Sequence, residues 1–136
     1  MSQSDSLSTE ELYKLLQKTY FDSIDDADTE TAISVMHEDV EWVHTQVWEE
    51  DGHTSQKTDT ITGRENVFEF LDGRLGEMKD KGIEHTIRDT VAADGKGSFR
   101  ADIVEPDGNT IPFLGWVELT DGKISKYIVA PERMPE

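Results

Sequence analysis

The sequence predicts an α+β fold in which helices pack on one side of a strongly bent antiparallel sheet, with room for a pocket between the layers. Three observations predict it. Roughly the first eighty residues carry three capped amphipathic stretches around one strand-like run. The last fifty or so read as four short strands separated by turn signals. Strands joined by tight turns form an antiparallel meander, and such a sheet buries one face against helices. At 136 residues the chain suits one hydrophobic core and not two. Residues 1–136 are therefore expected to form a single domain, with 1–6 as a polar leading segment and 131–136 as a tail.

The first helix has a defined start. Ser8 followed by Glu11 is a capping box, with Thr9 and Glu10 filling the first turn. Leu12, Leu16, Tyr20 and Ile24 recur at steps of four, with Leu15 nearby, and Tyr13 and Phe21 broaden the stripe. Asp25-Asp26-Ala27-Asp28 breaks the helix, and Asp28 caps a short second one carrying Ala32, Ile33 and Met36. His37-Glu38-Asp39 closes it. From Val40 to Val47 the period becomes two, with Val40, Trp42 and His44 on one face and Glu41, Val43 and Thr45 on the other.

Residues 49–60, with a turn signal at Asp51-Gly52, fit either a long loop or an extended hairpin. Thr62-Gly63-Arg64-Glu65 reads as a second capping box. Behind it Val67, Leu71, Leu75 and Met78 keep helical spacing up to a C-cap at Gly82, across the helix-weakening Gly73 and Gly76. In the segment from Ile83 to Val91, alternation places Ile83, His85, Ile87, Asp89 and Val91 on one face. Asp94-Gly95, Pro106-Asp107-Gly108 and Asp121-Gly122 then turn the chain into Gly97–Glu105, Thr110–Thr120 and Lys123–Ala130.

Composition excludes several function classes. There is no cysteine, hence no disulfide, thiolate metal site or cysteine nucleophile. No long apolar run suits a membrane span, and Met1 to Ser6 lacks the pattern of a signal peptide, so a cytoplasmic protein is expected. Thirty Asp and Glu against thirteen Lys and Arg give a net charge of −17, with no Lys or Arg from Thr19 to Gln56. Neither nucleic acid nor an anionic membrane surface suits such a chain, because both need a basic face. Three Trp and five Phe argue for a packed fold in spite of this charge. A uniformly acidic coat on a packed domain points to a halophilic protein, whose self-repulsion salt screens. No glycine-rich loop joins strand to helix, and His37, Glu38, Asp39 and His53 lack a metal-ligand spacing, so neither a cofactor nor a metal is expected.

Tyr20-Phe21-Asp22 ahead of Ala27-Asp28, the run Glu38-Asp39-Val40, Gly63-Arg64-Glu65 and the closing Asp121-Gly122-Lys123-Ile124 carry a resemblance over nearly the whole chain. Together with the element order, they make it resemble the SnoaL-like and ketosteroid-isomerase-like proteins of the nuclear transport factor 2-like superfamily. The resemblance implies a cystatin-like cone: a bent sheet wrapped around a long helix, a deep apolar pocket and a homodimer. Tyr20 lies eight residues before Asp28 and His44 sixteen after it, the offsets at which ketosteroid isomerases place an oxyanion-donating tyrosine and a general-base aspartate.

The resemblance thus implies Tyr20 and His44 as a catalytic pair for a small hydrophobic or carbonyl-bearing ligand. The base here is a histidine, and the position of the isomerases' second oxyanion donor falls on Gly115. Scytalone-dehydratase-like and cyclase-like relatives resemble this pair better. The same correspondence implies Trp42, His85, Phe113 and Tyr127 as substrate-binding residues, with Arg100 and Asp102 if that face of their strand looks inward. The apolar face of the strand is Phe99, Ala101 and Ile103, and either face fits.

Plainer assignments compete with these. Tyr20 on a helix stripe also fits a half-buried core residue, and His44 between apolar neighbours a hydrogen-bonded core histidine. His85 could pair with Asp89, as an orienting couple or as a surface pair. Two functions follow: cofactor-free proton transfer by an isomerase, dehydratase or cyclase, or a non-catalytic ligand-binding or interaction module of the same fold. Fold alone does not decide between them.

Overall fold

In a computed structural model, which describes residues 8–45 and 58–132, the first helix starts at the expected capping box. Ser8 Oγ accepts from the Glu11 N–H and Glu11 Oε1 accepts from the Ser8 N–H. Helix α1 (Thr9–Tyr13) runs on through a π-helical stretch (Lys14–Phe21) into α2 (Asp22–Asp25). In the π stretch the backbone bonds reach five residues back, as from the Asp22 N–H to the Gln17 carbonyl. Leu12, Leu16, Tyr20 and Ile24 are all buried, and Gln17 and Phe21 join them. Asp26 and Ala27 form the turn, Ala27 at φ 57, and Asp28 Oδ1 caps α3 (Thr29–Ile33) at the Thr31 N–H.

Two boundaries differ from expectation. Strand β1 is Met36–Thr45, so Met36 and His37-Glu38-Asp39 belong to it and not to the short helix. The reason is pairing, since Met36 aligns with Ile124 and is fully buried. Thr62 is the last residue of β2 (Thr58–Thr62) and forms no capping box. Helix α4 (Arg64–Asp80) starts instead from Gly63 at φ 95, with no side-chain cap, and Asn66 Nδ2 donates to the Thr62 carbonyl. The helix continues through Gly73 and Gly76 and stops where Gly82, at φ 71, donates to the Lys79 carbonyl.

β1 and β2 pair antiparallel from Glu41↔Thr62 to Thr45↔Thr58. The connection expected as a lid loop or hairpin falls largely on 46–57, outside the described residues. The four remaining strands are β3 (Glu84–Ala93), β4 (Lys96–Val104), β5 (Thr110–Thr120) and β6 (Lys123–Pro131). They form the expected meander, and Asp94-Gly95 and Asp121-Gly122 have positive φ at both central residues, as two-residue hairpin turns that match strand twist require. The sheet order is β2-β1-β6-β5-β4-β3. One pair departs from the antiparallel rule, because β1 and β6 run parallel. β6 also extends into the expected tail: Pro131 pairs with Phe113, and the Glu132 N–H donates to the Pro112 carbonyl.

The bend of the sheet has a local cause. Register shifts fall between Ile87 and Asp89, between Glu118 and Leu119 opposite β6, and between Met36 and Glu41. Such bulges bend a strand and increase its twist. The concave face carries His85 and Ile87 from β3, with Ile83 just before it, Phe99, Ala101 and Ile103 from β4, Phe113 and Val117 from β5, and Tyr127 and Val129 from β6. The helix stripes cover it, including Val67, Leu71, Leu75 and Met78 of α4. The shift at Arg88 also corrects the expected alternation of β3, because Asp89 and Val91 turn to the outer face and are exposed.

Candidate active site

Helix and sheet enclose a cavity whose walls come from the π stretch, α2, α4 and the concave sheet face. The cavity has a volume of about 50 Å³, where one water needs about 10–15 Å³. Tyr20, Trp42, His44, His85, Phe113 and Tyr127 all line it. Arg100 and Asp102 do not. Strict alternation in β4 turns Phe99, Ala101 and Ile103 inward, so the two charged side chains lie outside. There the exposed Arg100 makes a bidentate pair with Glu132 at 2.7 and 2.9 Å. Asp102 accepts from Arg88 Nε at 2.6 Å.

The partner of His85 is Asp25, from the other layer, and not Asp89. Asp25 Oδ1 lies 2.6 Å from His85 Nδ1, and its Oδ2 accepts from the His85 backbone N–H at 2.9 Å. One carboxylate thereby fixes both the strand and the ring. With Nδ1–H donating to Asp25, Nε2 is the ring's remaining lone pair. The ring stacks on Phe21 at 5.3 Å and 8° and meets Phe113 edge-on. Gln17 completes the support: its Nε2 donates to the His85 carbonyl at 3.1 Å and to Asp22, while its Oε1 accepts from the Ile87 N–H at 2.7 Å.

Tyr20 sits among aromatic rings, edge-on to Phe21 and to Tyr127 at 5.0 and 5.4 Å. Burial pushes its phenol up to about 12, against a partial offset from hydrogen bonding by Tyr127. The Trp42 indole N–H also lies close enough to favour the ionised form, without reaching the geometry of a hydrogen bond. Tyr127 is also raised, first by burial and then by Tyr20. Both hydroxyls thus stay protonated and able to donate.

His44 differs in kind. Its ring stacks on Trp42 at 5.0 Å and 4°, and its buried Nδ1 has no hydrogen-bond partner among the described residues. Part of the residue stays open, yet burial of the ring, then the Arg74 cation and His85, press its pKa down to about 3. An imidazole so placed is neutral and a poor proton acceptor. Arg74 of α4, also in the cavity wall, is itself lowered by burial against the pull of Asp59 and Glu77.

Gly115 has a packing reason to be glycine, since a Cβ there would lie 2.2 Å from Phe99 Cζ. A second side-chain donor cannot stand at that position unless Phe99 moves.

Asp25, Arg74 and Gln17 are the residues the sequence reading missed. Asp25 looked like a helix breaker within an acidic run. Arg74 did leave a signal, because Leu71, Arg74 and Met78 follow helical spacing and place a cation on an apolar stripe. Gln17 is buried because the π stretch widens the turn that carries it. Among the described residues, no three His, Asp or Glu side chains are grouped to hold a metal ion, and no helix is long and apolar enough to cross a membrane.

Comparison with known proteins places this geometry. The model of the SnoaL-like domain matches residues 18–127. No curated protein matches the chain significantly. Among solved structures, a candidate ketosteroid isomerase of Kribbella flavida is similar at 18% identity and a TM-score of 0.67, over 99% of this chain and 85% of that one. A SnoaL-like protein of unknown function from Burkholderia thailandensis gives 13% and 0.68, over 93% and 100%. A candidate polyketide cyclase of Sinorhizobium meliloti gives 15% and 0.61, over 90% and 99%. At such identities these structures speak for the fold alone, a curved sheet with a pocket under its helices. The match of the domain model over most of the chain is what identifies it: the chain belongs to the SnoaL-like domain family.

Proposed function

We propose that this protein catalyses cofactor-free proton transfer on a small carbonyl-bearing molecule, as an isomerase, dehydratase or cyclase. His85 is the base and Tyr20 the oxyanion donor. The observation that carries the reading is the Asp25 clamp on His85, whose ring lines the cavity. His85 Nε2 takes a proton from a carbon next to the carbonyl, and the C–H electrons pass into an enolate. The Tyr20 hydroxyl donates to the enolate oxygen, and Asp25 stabilises the imidazolium that forms. Returning the proton to another carbon completes an isomerisation. Returning it to a departing hydroxyl, which leaves as water, completes a dehydration. His44, neutral and unpaired, is assigned to ligand contact and not to the base.

A ligand-holding role without turnover is the second reading, supported by Gly115 where a second oxyanion donor would stand. One experiment separates the two. Ring opening of 5-nitrobenzisoxazole needs only the removal of one C–H proton and is read by absorbance. The purified protein should accelerate it over buffer, His85→Gln should lose about 10²-fold or more in kcat, and His44→Gln, at a ligand contact, should act mainly on KM. Equal rates for His85→Gln and wild type would refute the assignment of the base.

The outer sheet face supports a homodimer, because Val91, Leu114 and Trp116 are 62%, 47% and 39% exposed there. The acidic coat supports a halophilic life in concentrated salt. Light scattering in molar salt should give twice the chain mass, and the melting temperature should fall when salt is removed. A monomer mass or a salt-independent melt would contradict the respective proposal.

A further inference from the structure

At His85 the backbone groups and Nδ1 are hydrogen-bonded to Asp25 and Gln17, whereas buried polar atoms on the wall formed by β1 and α4 are not. Five buried side-chain atoms in the described residues lack any partner, and three of them belong to residues lining this one cavity: Trp42 Nε1, His44 Nδ1 and Arg74 Nη1. Native proteins leave few buried polar atoms unpaired, so such a cluster marks a place where something else binds. Indole and guanidinium nitrogens can only donate, so what they need is an acceptor.

The charge narrows it further. Among the described residues Arg74 is the only Lys or Arg in the cavity lining, in a chain where acids outnumber bases thirty to thirteen. Burying a guanidinium is costly unless it is paired. Asp59 and Glu77 act on Arg74 from outside the cavity lining and leave its Nη1 without a hydrogen bond among the described residues, and the carboxylate of Asp25 is already engaged by His85. His44 supplies no counter-charge, because an imidazole is either neutral or cationic.

We infer that the ligand carries a carboxylate, seated on Arg74 beside His44, so that the substrate class is a small carboxylic acid with its reacting carbon toward His85. This rests on the proposed function for the identity of the reacting end, but the anion site stands or falls by binding alone. Arg74 recognises the acid group through a charge-assisted hydrogen bond, the strong kind, made stronger by the apolar wall.

Benzoate and benzamide are probes of nearly equal shape that differ in charge, and calorimetric titration at one fixed salt concentration compares them. Wild type should bind benzoate saturably and at least about 10-fold more tightly than benzamide, as one charge-assisted bond allows. Arg74→Gln should bind the two alike, and Arg74→Lys should keep part of the preference. His85→Gln should keep the whole preference while losing proton transfer, which separates failure of the anion site from failure of the base. Equal affinity of wild type for the two probes, no saturable benzoate binding, or an undiminished preference in Arg74→Gln would each overturn the inference. The wild-type comparison decides even if the Arg74 variants fold poorly.

Discussion

His85 and His44 reach the same cavity from distant strands of the sheet, β3 at one edge and β1 near the other, and they are furnished in opposite ways. His85 has a carboxylate on Nδ1, the same carboxylate on its backbone N–H, and Gln17 on its carbonyl. His44 has a stacked indole, an unpartnered Nδ1 and a neighbouring guanidinium. A ring that must gain and lose a proton needs an acceptor to hold its tautomer and steady its charge. One that must greet a ligand keeps its valence open. The proposed assignment of the base therefore rests on the partners of the second ring nitrogen and not on proximity to the cavity.

The largest expected effect comes from removing the carboxylate. Asp25→Asn should lower turnover of 5-nitrobenzisoxazole by about 10²–10⁴-fold, because an amide no longer steadies the imidazolium and can impose the wrong tautomer. Tyr20→Phe keeps the ring and removes only the donor. It should cost about 10²-fold on a carbonyl substrate, read as kcat.

Acid stability tests the other histidine. The unfolded chain protonates His44 near its ordinary 6.5, whereas the folded chain resists until about 3. Stability from this residue is thus complete above pH 6.5 and is lost as pH falls toward 3, by at most about 1.4 kcal/mol per pH unit. His44→Gln should flatten the fall of the urea midpoint across that window, and an unchanged slope would mean the ring is not held neutral. The smallest effect is expected at the outer face, where Arg100→Ala removes an exposed ion pair and should leave turnover unchanged.

Much of the architecture was legible because it depends on short-range patterns. The Ser8 capping box, the Leu12-Leu16-Tyr20-Ile24 stripe and the Asp-Gly turns each act within a few residues. The capping box at Thr62 failed because strand pairing claimed that threonine for β2, and the alternation of β3 failed at the Arg88 bulge, which no local pattern announces. The cavity was partly legible for the same reason: Trp42 and His44 share a face by simple alternation. The Asp25–His85 contact joins residues sixty apart and could not be read from either neighbourhood. The parallel pairing of β1 with β6 is equally long-range.

The central claim is that Asp25 holds His85 as the proton-carrying ring while His44 stays neutral and unpaired. Nitrogen-15 NMR of the imidazole rings tests it directly. His85 should show the tautomer protonated on Nδ1, shifting in Asp25→Asn, and His44 should remain neutral as pH is lowered well below 6.5. A His85 ring protonated on Nε2 instead, or a His44 that titrates near 6.5, would contradict the account.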